Sequence, residues 1–188
     1  MEEYVILRVI SGTAKGHKLR TLKGSSTRPT SDRVKESLFN IIGSRVFEKD
    51  VLDIYAGTGN LGIEALSRGA ASAVFIDKSH ECASIIKENL AHTKLIEKAS
   101  VITGDVFSTL NKISKDDKKF DIIFLDPPYN KNLVEDTLKC IMENDIIGVG
   151  GLVIAEHDVD DEVPEEAAGL KRFRQQKYGD TIISFYEV

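Results

Sequence analysis

The sequence is short of several things, and each shortage excludes a class of protein. It has two cysteines in 188 residues, Cys82 and Cys140, and neither has near neighbours of metal-ligand type. A disulfide scaffold and a zinc module are therefore not expected, and both thiols read as reduced, half-buried helix residues. No apolar run is long enough to span a bilayer. The first residues, Met1-Glu2-Glu3-Tyr4, lack the basic segment and apolar core of a secretion signal, so the expectation is a cytoplasmic protein with no membrane partner. There is no internal repeat and no low-complexity tract. The one glycine-rich turn lacks the Gly-Lys-Ser/Thr ending of a phosphate-binding P-loop.

What remains is an ordinary globular composition, 41% hydrophobic and 29% charged, with a net charge of -5. This length suits one α/β domain with a sizeable core and a small appendage. The acidic balance argues against a wholly basic nucleic-acid coat, yet the charge is unevenly placed. Between Arg8 and Lys35 the bases are Arg8, Lys15, Lys18, Arg20, Lys23, Arg28, Arg33 and Lys35, opposed by Asp32 alone, whereas His157 to Glu166 is rich in acid. A local basic arm on an acidic body suits an anionic partner.

The chain organises itself around Val51-Leu52-Asp53-Ile54-Tyr55-Ala56-Gly57-Thr58-Gly59-Asn60-Leu61-Gly62: an apolar strand, a tight glycine turn and the start of a helix. Gly57 and Gly59 can take positive φ and let a ligand lie against the backbone. The helix that follows aims its unpaired N–H groups at that place. The glycine spacing also fits a dinucleotide fingerprint, a weak signal alone. Asp53, four residues before the first glycine, would repel a pyrophosphate and could hold an ammonium group. A ligand-free strand-to-helix turn is the plainer alternative.

Before this stretch, Tyr4–Ile10 and a segment around Lys18–Leu22 suggest an amino-terminal hairpin or extended arm. A helix with apolar positions Val34, Leu38, Ile41 and Ile42 follows, capped by Thr30 or Ser31 and stopped at Gly43. After residue 50, strands and helices alternate, as in a parallel sheet covered on both faces. Strands are expected over 51–55, 73–76, 100–103, 122–125 and 152–155, and helices over 61–68, 80–91, 106–113 and 133–143. A terminal antiparallel hairpin is expected around Tyr178-Gly179-Asp180.

Ligands of such sheets bind at the carboxyl ends of the strands. Those ends carry Asp53, Asp77, Asp105 and Asp126. Asp77, twenty positions past Gly57, is suited to accept ribose hydroxyls, or equally to cap a helix. Asp105 can accept from an adenine amino group, or cap the helix that starts at Val106. In Asp126-Pro127-Pro128-Tyr129 two prolines fix φ and remove two donors, so carbonyls point outward beside a carboxylate and a flat ring. That suits a planar ring bearing an exocyclic amine; a rigid strand exit with Tyr129 in the core is the alternative.

Together these stretches resemble the class I S-adenosylmethionine-dependent methyltransferases, and the Asp-Pro-Pro-Tyr resembles that of enzymes that methylate exocyclic amino nitrogens. Over nearly the whole chain the sequence is similar to the bacterial small-subunit ribosomal RNA guanine-N2 methyltransferases. This likeness rests on Arg8-Val9-Ile10-Ser11-Gly12, Lys15-Gly16, the block from Arg28-Pro29-Thr30 to Phe39-Asn40, the block from Gly62 to Ala70, and Asp126-Pro127-Pro128-Tyr129. Tyr55 departs from a frequent Phe, and the tail after Gly151 matches loosely.

The resemblance implies a Rossmann-like fold with a seven-stranded, mainly parallel sheet, in a methyltransferase domain over 31–188 preceded by a basic arm over 1–30. It implies S-adenosylmethionine as cofactor and no metal. Gly57, Thr58 and Gly59 would border its methionine part, Asp53 the ammonium group, Asp77 the ribose, Asp105 the adenine, and Arg28 and Thr30 the carboxylate. Asp126, the Pro127 carbonyl and Tyr129 would hold the target amine. It further implies 16S ribosomal RNA in an assembled or assembling 30S subunit as substrate, guanine 966 as target, and a monomer. Lys15, Lys18, Arg20 and Arg33 are the candidate RNA contacts. The rival readings are an adenine-N6 DNA methyltransferase and a cofactor-binding ribosome assembly factor without turnover.

Overall fold

The computed structural model describes residues 7–21, 32–128 and 133–188. Strands β1 (Asp50–Ile54), β2 (Ser72–Asp77), β3 (Ala99–Thr103), β4 (Phe120–Leu125) and β5 (Ile147–Asp158) pair in parallel. They are followed by β6 (Glu166–Ala167), β7 (Leu170–Tyr178) and β8 (Thr181–Glu187), which pair antiparallel. One sheet results, in the order β3-β2-β1-β4-β5-β8-β7-β6. The chain steps outward from β1 through β2 to β3, then returns to the other side of β1 with β4. The crevice between β1 and β4 is therefore the point where strand order reverses, the usual ligand position in open α/β sheets.

Among the described residues five α-helices cover the sheet: α1 (Asp32–Ile42), α2 (Asn60–Ser67), α3 (His80–His92), α4 (Val106–Ile113) and α5 (Leu133–Glu143). The period-2 alternation of a strand sorts the core into two halves. Val51, Phe75, Ile122 and Phe124 pack with Phe39, Leu66 and Ile86 beneath α1, α2 and α3. Leu52, Ile54, Ile76, Ile123 and Leu125 pack with Leu110, Leu138 and Ile141 beneath α4 and α5. The same alternation turns Asp53 toward α2, where its Oδ2 accepts the Gly62 N–H at 2.8 Å. No helix among the described residues is long and apolar enough to cross a membrane.

The expected strands and helices are all present, with two differences. The sheet has eight strands, not seven, because the two-residue β6 turns back onto β7 through Ala168 and Gly169, both at positive φ. Strand β5 begins five residues before the expected Leu152. The chain passes through Gly148, Gly150 and Gly151 with a register shift against β4, as a bulge allows. The amino-terminal arm, as far as it is described, closes the expected hairpin around the antiparallel Arg8–Lys18 bridge: the Leu19 N–H donates to the Leu7 carbonyl at 2.8 Å, the Val9 N–H to the His17 carbonyl at 2.9 Å and the Gly16 N–H to the Val9 carbonyl at 2.8 Å. The proposed cap of α1 at Thr30 or Ser31 lies outside the described residues.

Residues 7–19 lie against α2. Glu64, fully buried, accepts the Ile10 N–H at 2.8 Å and the Ser11 N–H at 3.0 Å, and pairs with Arg68 at 2.7 Å and Lys35 at 3.2 Å. Ser67 Oγ donates to the Ser11 carbonyl and accepts from the Ala14 N–H. Leu7, Val9, Ala14 and Leu19 are buried in the same cluster as α2.

Candidate active site at the strand ends

The glycine turn is built as its sequence requires. Gly57 and Gly59 take φ of +54° and +78°, and Gly59 is the N-cap of α2. Asp77 braces the turn from the neighbouring strand end: its Oδ2 accepts the Gly57 N–H at 2.8 Å and its Oδ1 the Ser79 N–H at 2.9 Å. The N-cap of α3 is Ser79 rather than Asp77, so the capping alternative for Asp77 falls away. Each Asp77 oxygen keeps lone-pair capacity for a further donor.

Tyr55 leaves β1 at φ +61°, a conformation unusual for a bulky residue and of a kind that concentrates around sites. Its hydroxyl lies 2.9 Å from Thr137 Oγ1 on α5, which gives the departure from Phe a partner.

One pocket is lined by Leu7, Asp53, Tyr55, Ala56, Gly57, Thr58, Asn60, Leu61 and Asp126. Of the expected site residues it gathers Asp53, Gly57, Thr58 and Asp126, with Gly59 and Asp77 behind the turn. Asp105 stands apart on the next strand end; it is exposed and caps α4 by accepting the Ser108 N–H at 3.0 Å. Pro127 is buried directly after Asp126. Lys15, Lys18 and Arg20 on the arm and Arg33 on α1 are exposed, and Arg20 is already paired with Glu88. Arg28, Thr30 and Tyr129 lie outside the described residues.

The pocket is electrostatically strained toward a cation. Asp53 is almost wholly buried, and among the described residues it has one hydrogen bond and no ion pair. Burial pushes its carboxyl up to about 7, with the Gly62 N–H pulling the other way and the Asp77 charge adding a little. Asp126 is held well above the usual carboxylate range by burial first, then by Glu156 and Asp53. Leu125 pairs with Ala155 across β4 and β5, so the next residues, Asp126 and Glu156, are neighbours.

These features fit a cationic cofactor that carries its own hydrogen-bond acceptors. A buried carboxylate lacks a cation, and an amide donor, Asn60 Nδ2, is buried without a partner among the described residues. Above Gly57 a Cβ would approach nothing nearer than the Tyr55 carbonyl at 3.9 Å, so the space over the turn is open. No group of three His, Cys, Asp or Glu able to hold a metal occurs among the described residues.

Sequence reasoning passed over Asn60, Glu156 and the buried Lys35–Glu64 pair. Lys35 carried a signal: it lies on the stripe with Leu38, Phe39 and Ile42, where a charge is out of place. Glu156 follows Ala155, the last residue of β5 paired in parallel with β4, so the same strand-end rule that found the four aspartates reaches it.

The sheet order, the glycine turn after β1 and the carboxylates at successive strand ends are those of the class I S-adenosylmethionine-dependent methyltransferases. Residues 7–187 match the family described as "Conserved hypothetical protein 95", and the chain belongs to that family. It is 40% identical over 181 residues to the "Putative rRNA methyltransferase YlbH" of Bacillus subtilis, covering 96% of this chain and 98% of that protein. It is 37% identical over 155 residues to the "Ribosomal RNA small subunit methyltransferase D" of Haemophilus influenzae, covering 82% and 80%. The solved "Putative methyltransferase yhhF from Escherichia coli" superposes with a TM-score of 0.82 at 32% identity, over 95% of this chain and 96% of that one. The expected family resemblance and fold class are thus met.

Proposed function

We propose that this protein transfers a methyl group from S-adenosylmethionine to the exocyclic N2 of a guanine in 16S ribosomal RNA, guanine 966. The observation that carries the reading is the shared pocket of Asp53, Gly57, Thr58 and Asp126. It sets a candidate cofactor carboxylate and a candidate target carboxylate on adjacent strands.

When bound, the cofactor supplies a methyl group already activated on a positively charged sulfur. The chain has to align and to stabilise charge. Asp53 faces the ammonium end, Gly57, Thr58 and Gly59 border the methionine portion, and Asp77 and Asp105 take the ribose and adenine. Arg28 and Thr30 complete the carboxylate end. Asp126 and the Pro127 carbonyl accept the two amino hydrogens of guanine, which favours a pyramidal nitrogen and stabilises the positive charge that develops on it; the methylated nitrogen then gives up one proton, to Asp126 or to water. Tyr129 stacks on the base. Lys15, Lys18, Arg20 and Arg33 hold phosphates while the base leaves its stack. The working unit is a cytoplasmic monomer, with the arm over 1–30 serving the catalytic domain over 31–188 and an assembled or assembling 30S subunit as substrate.

The test is a labelled methyl donor offered to naked 16S RNA, small subunits and DNA, with the modified nucleoside identified. N2-methylguanosine at one position in RNA is expected. N6-methyladenine in DNA would replace the reading with the DNA enzyme, and cofactor binding without transfer to any substrate would leave an assembly factor.

A further inference from the structure

Asn60 opens α2 and lines the pocket, with 8% of its surface exposed. Its Oδ1 lies 2.7 Å from the Nζ of Lys35, which also reaches the Arg8 carbonyl at 2.6 Å and Glu64 at 3.2 Å. An ammonium group only donates, so the atom of Asn60 that faces it has to be the oxygen. The three acceptors match the three N–H bonds of Lys35, and the amide cannot turn over without setting donor against donor. Nδ2 is thereby fixed away from Lys35, and it has no partner among the described residues. An unmet buried donor costs free energy, so a group that keeps one beside a pocket is poised for an acceptor brought by a ligand.

We propose that Asn60 Nδ2 is a ligand for the α-carboxylate of the methionine portion of the cofactor. The assignment rests on S-adenosylmethionine as the cofactor. Two features select the carboxylate over the hydroxyls and ring nitrogens of the nucleoside. Asn60 is the first residue of α2, where free N–H groups and the helix dipole favour an anion. Asp53 lines the same pocket, its Oδ2 on the Gly62 N–H two residues further along α2, so the lining offers an acceptor for the ammonium as well as a donor for the carboxylate of an amino-acid zwitterion.

Calorimetric titration with two probes tests this: S-adenosylhomocysteine, which carries the amino-acid end, and 5′-methylthioadenosine, which lacks it. Asn60→Ala removes the donor. Asn60→Asp replaces the donor with a second acceptor oxygen and a negative charge while keeping the size and the acceptor for Lys35, so the buried Lys35 cluster stays satisfied and a carboxylate in the pocket meets repulsion. Both variants should lose about tenfold or more in affinity for S-adenosylhomocysteine, as expected for one hydrogen bond to a charged group. Both should keep their affinity for 5′-methylthioadenosine within about twofold of the parent, since that probe has no carboxylate to lose. Unchanged affinity for S-adenosylhomocysteine, or equal losses for both probes, overturns the assignment. Failure of the parent protein to bind either probe overturns the cofactor reading itself, a result distinct from the other two.

Discussion

Gly12 rests on the Ser67 carbonyl so closely that a Cβ at Gly12 would fall 1.8 Å from the Ser67 oxygen, and Gly12 itself takes φ of +84°. No L side chain fits there without moving backbone. Two stretches that carry the family likeness, Arg8 to Gly12 and Gly62 to Ala70, are thus two halves of one clasp, closed by Glu64 and Ser67. Gly12→Ala should destabilise the fold by about 3 kcal/mol or more, from backbone strain plus overpacking. Urea unfolding that shows a loss under about 1 kcal/mol would mean the arm is free to lift.

Asp53 makes stability depend on pH in a direction opposite to that of a salt-bridged carboxylate. Its folded value is raised to about 7 from an ordinary 3.8, so in that window the folded form holds a proton that the unfolded chain has released. Stability from this group is therefore greatest at low pH, falls as pH rises from about 4 to about 7, and is level above. Asp53→Asn should flatten this part of the profile and, without ligand, raise stability at pH 8 by about 1 to 3 kcal/mol. Binding a cation favours the ionised form, so cofactor affinity in the parent should weaken as pH drops below about 7, and proton release should accompany binding. Urea titrations at several pH values, with calorimetry in two buffers, read both; an unaltered pH profile in Asp53→Asn would show that the carboxyl is not perturbed.

Much of this was legible in the sequence because parallel strands buried on both faces read as unbroken apolar runs. Ile122 to Leu125 and Val51 to Ile54 are of that kind, broken only by Asp53. The strand-end rule placed Asp53 and Asp126 in one crevice for a reason that needs only chain direction and the reversal of strand order. The amino-terminal half of β5 was hidden, since its glycines follow a bulge that depends on β4. Lys35 was visible as a misplaced charge, but its partners Asn60 and Glu64 come from another helix, and nothing local announces them. The hydroxyl of Tyr55 likewise finds Thr137 only once α5 is folded against the sheet.

Asp77 holds the Gly57 N–H and, in the proposed complex, also takes the ribose hydroxyls. Asp77→Ala should weaken S-adenosylhomocysteine binding by about 10- to 100-fold, losing a charged acceptor and loosening the turn. Asp77→Asn, which can still accept through one oxygen, should lose less. Equal affinities for parent and Asp77→Ala in calorimetry would remove the residue from the cofactor site.

In the proposed reaction Asp126 bears on turnover. Asp126→Asn should keep S-adenosylhomocysteine affinity within about threefold and lower kcat by about 10²- to 10³-fold, the scale of losing one charge-stabilising contact in a transition state. Because burial, Glu156 and Asp53 hold Asp126 above the usual carboxylate range, the ionised form that accepts the amine hydrogens is depleted as pH falls. The single-turnover rate of the parent should accordingly rise with pH. A flat profile, with Asp126→Asn as fast as the parent, would leave the carboxylate without a part in transfer.

The basic groups of the arm and α1 should act on RNA and leave the cofactor alone. Lys15, Lys18 and Arg33 are exposed, and among the described residues none has an ion pair, whereas Arg20 is engaged with Glu88. Contact with phosphate releases counterions, and each lost contact reduces the dependence of binding on salt by about one unit in the log–log slope. The triple variant Lys15→Glu, Lys18→Glu, Arg33→Glu should therefore lose about 100-fold or more in RNA affinity and show a shallower salt slope, with S-adenosylhomocysteine binding unchanged. Arg20→Glu alone should do less, because the parent side chain is already neutralised by Glu88. Filter binding across a salt series gives both numbers. If the triple variant binds RNA as tightly as the parent at every salt concentration, the RNA track runs over another face of the molecule.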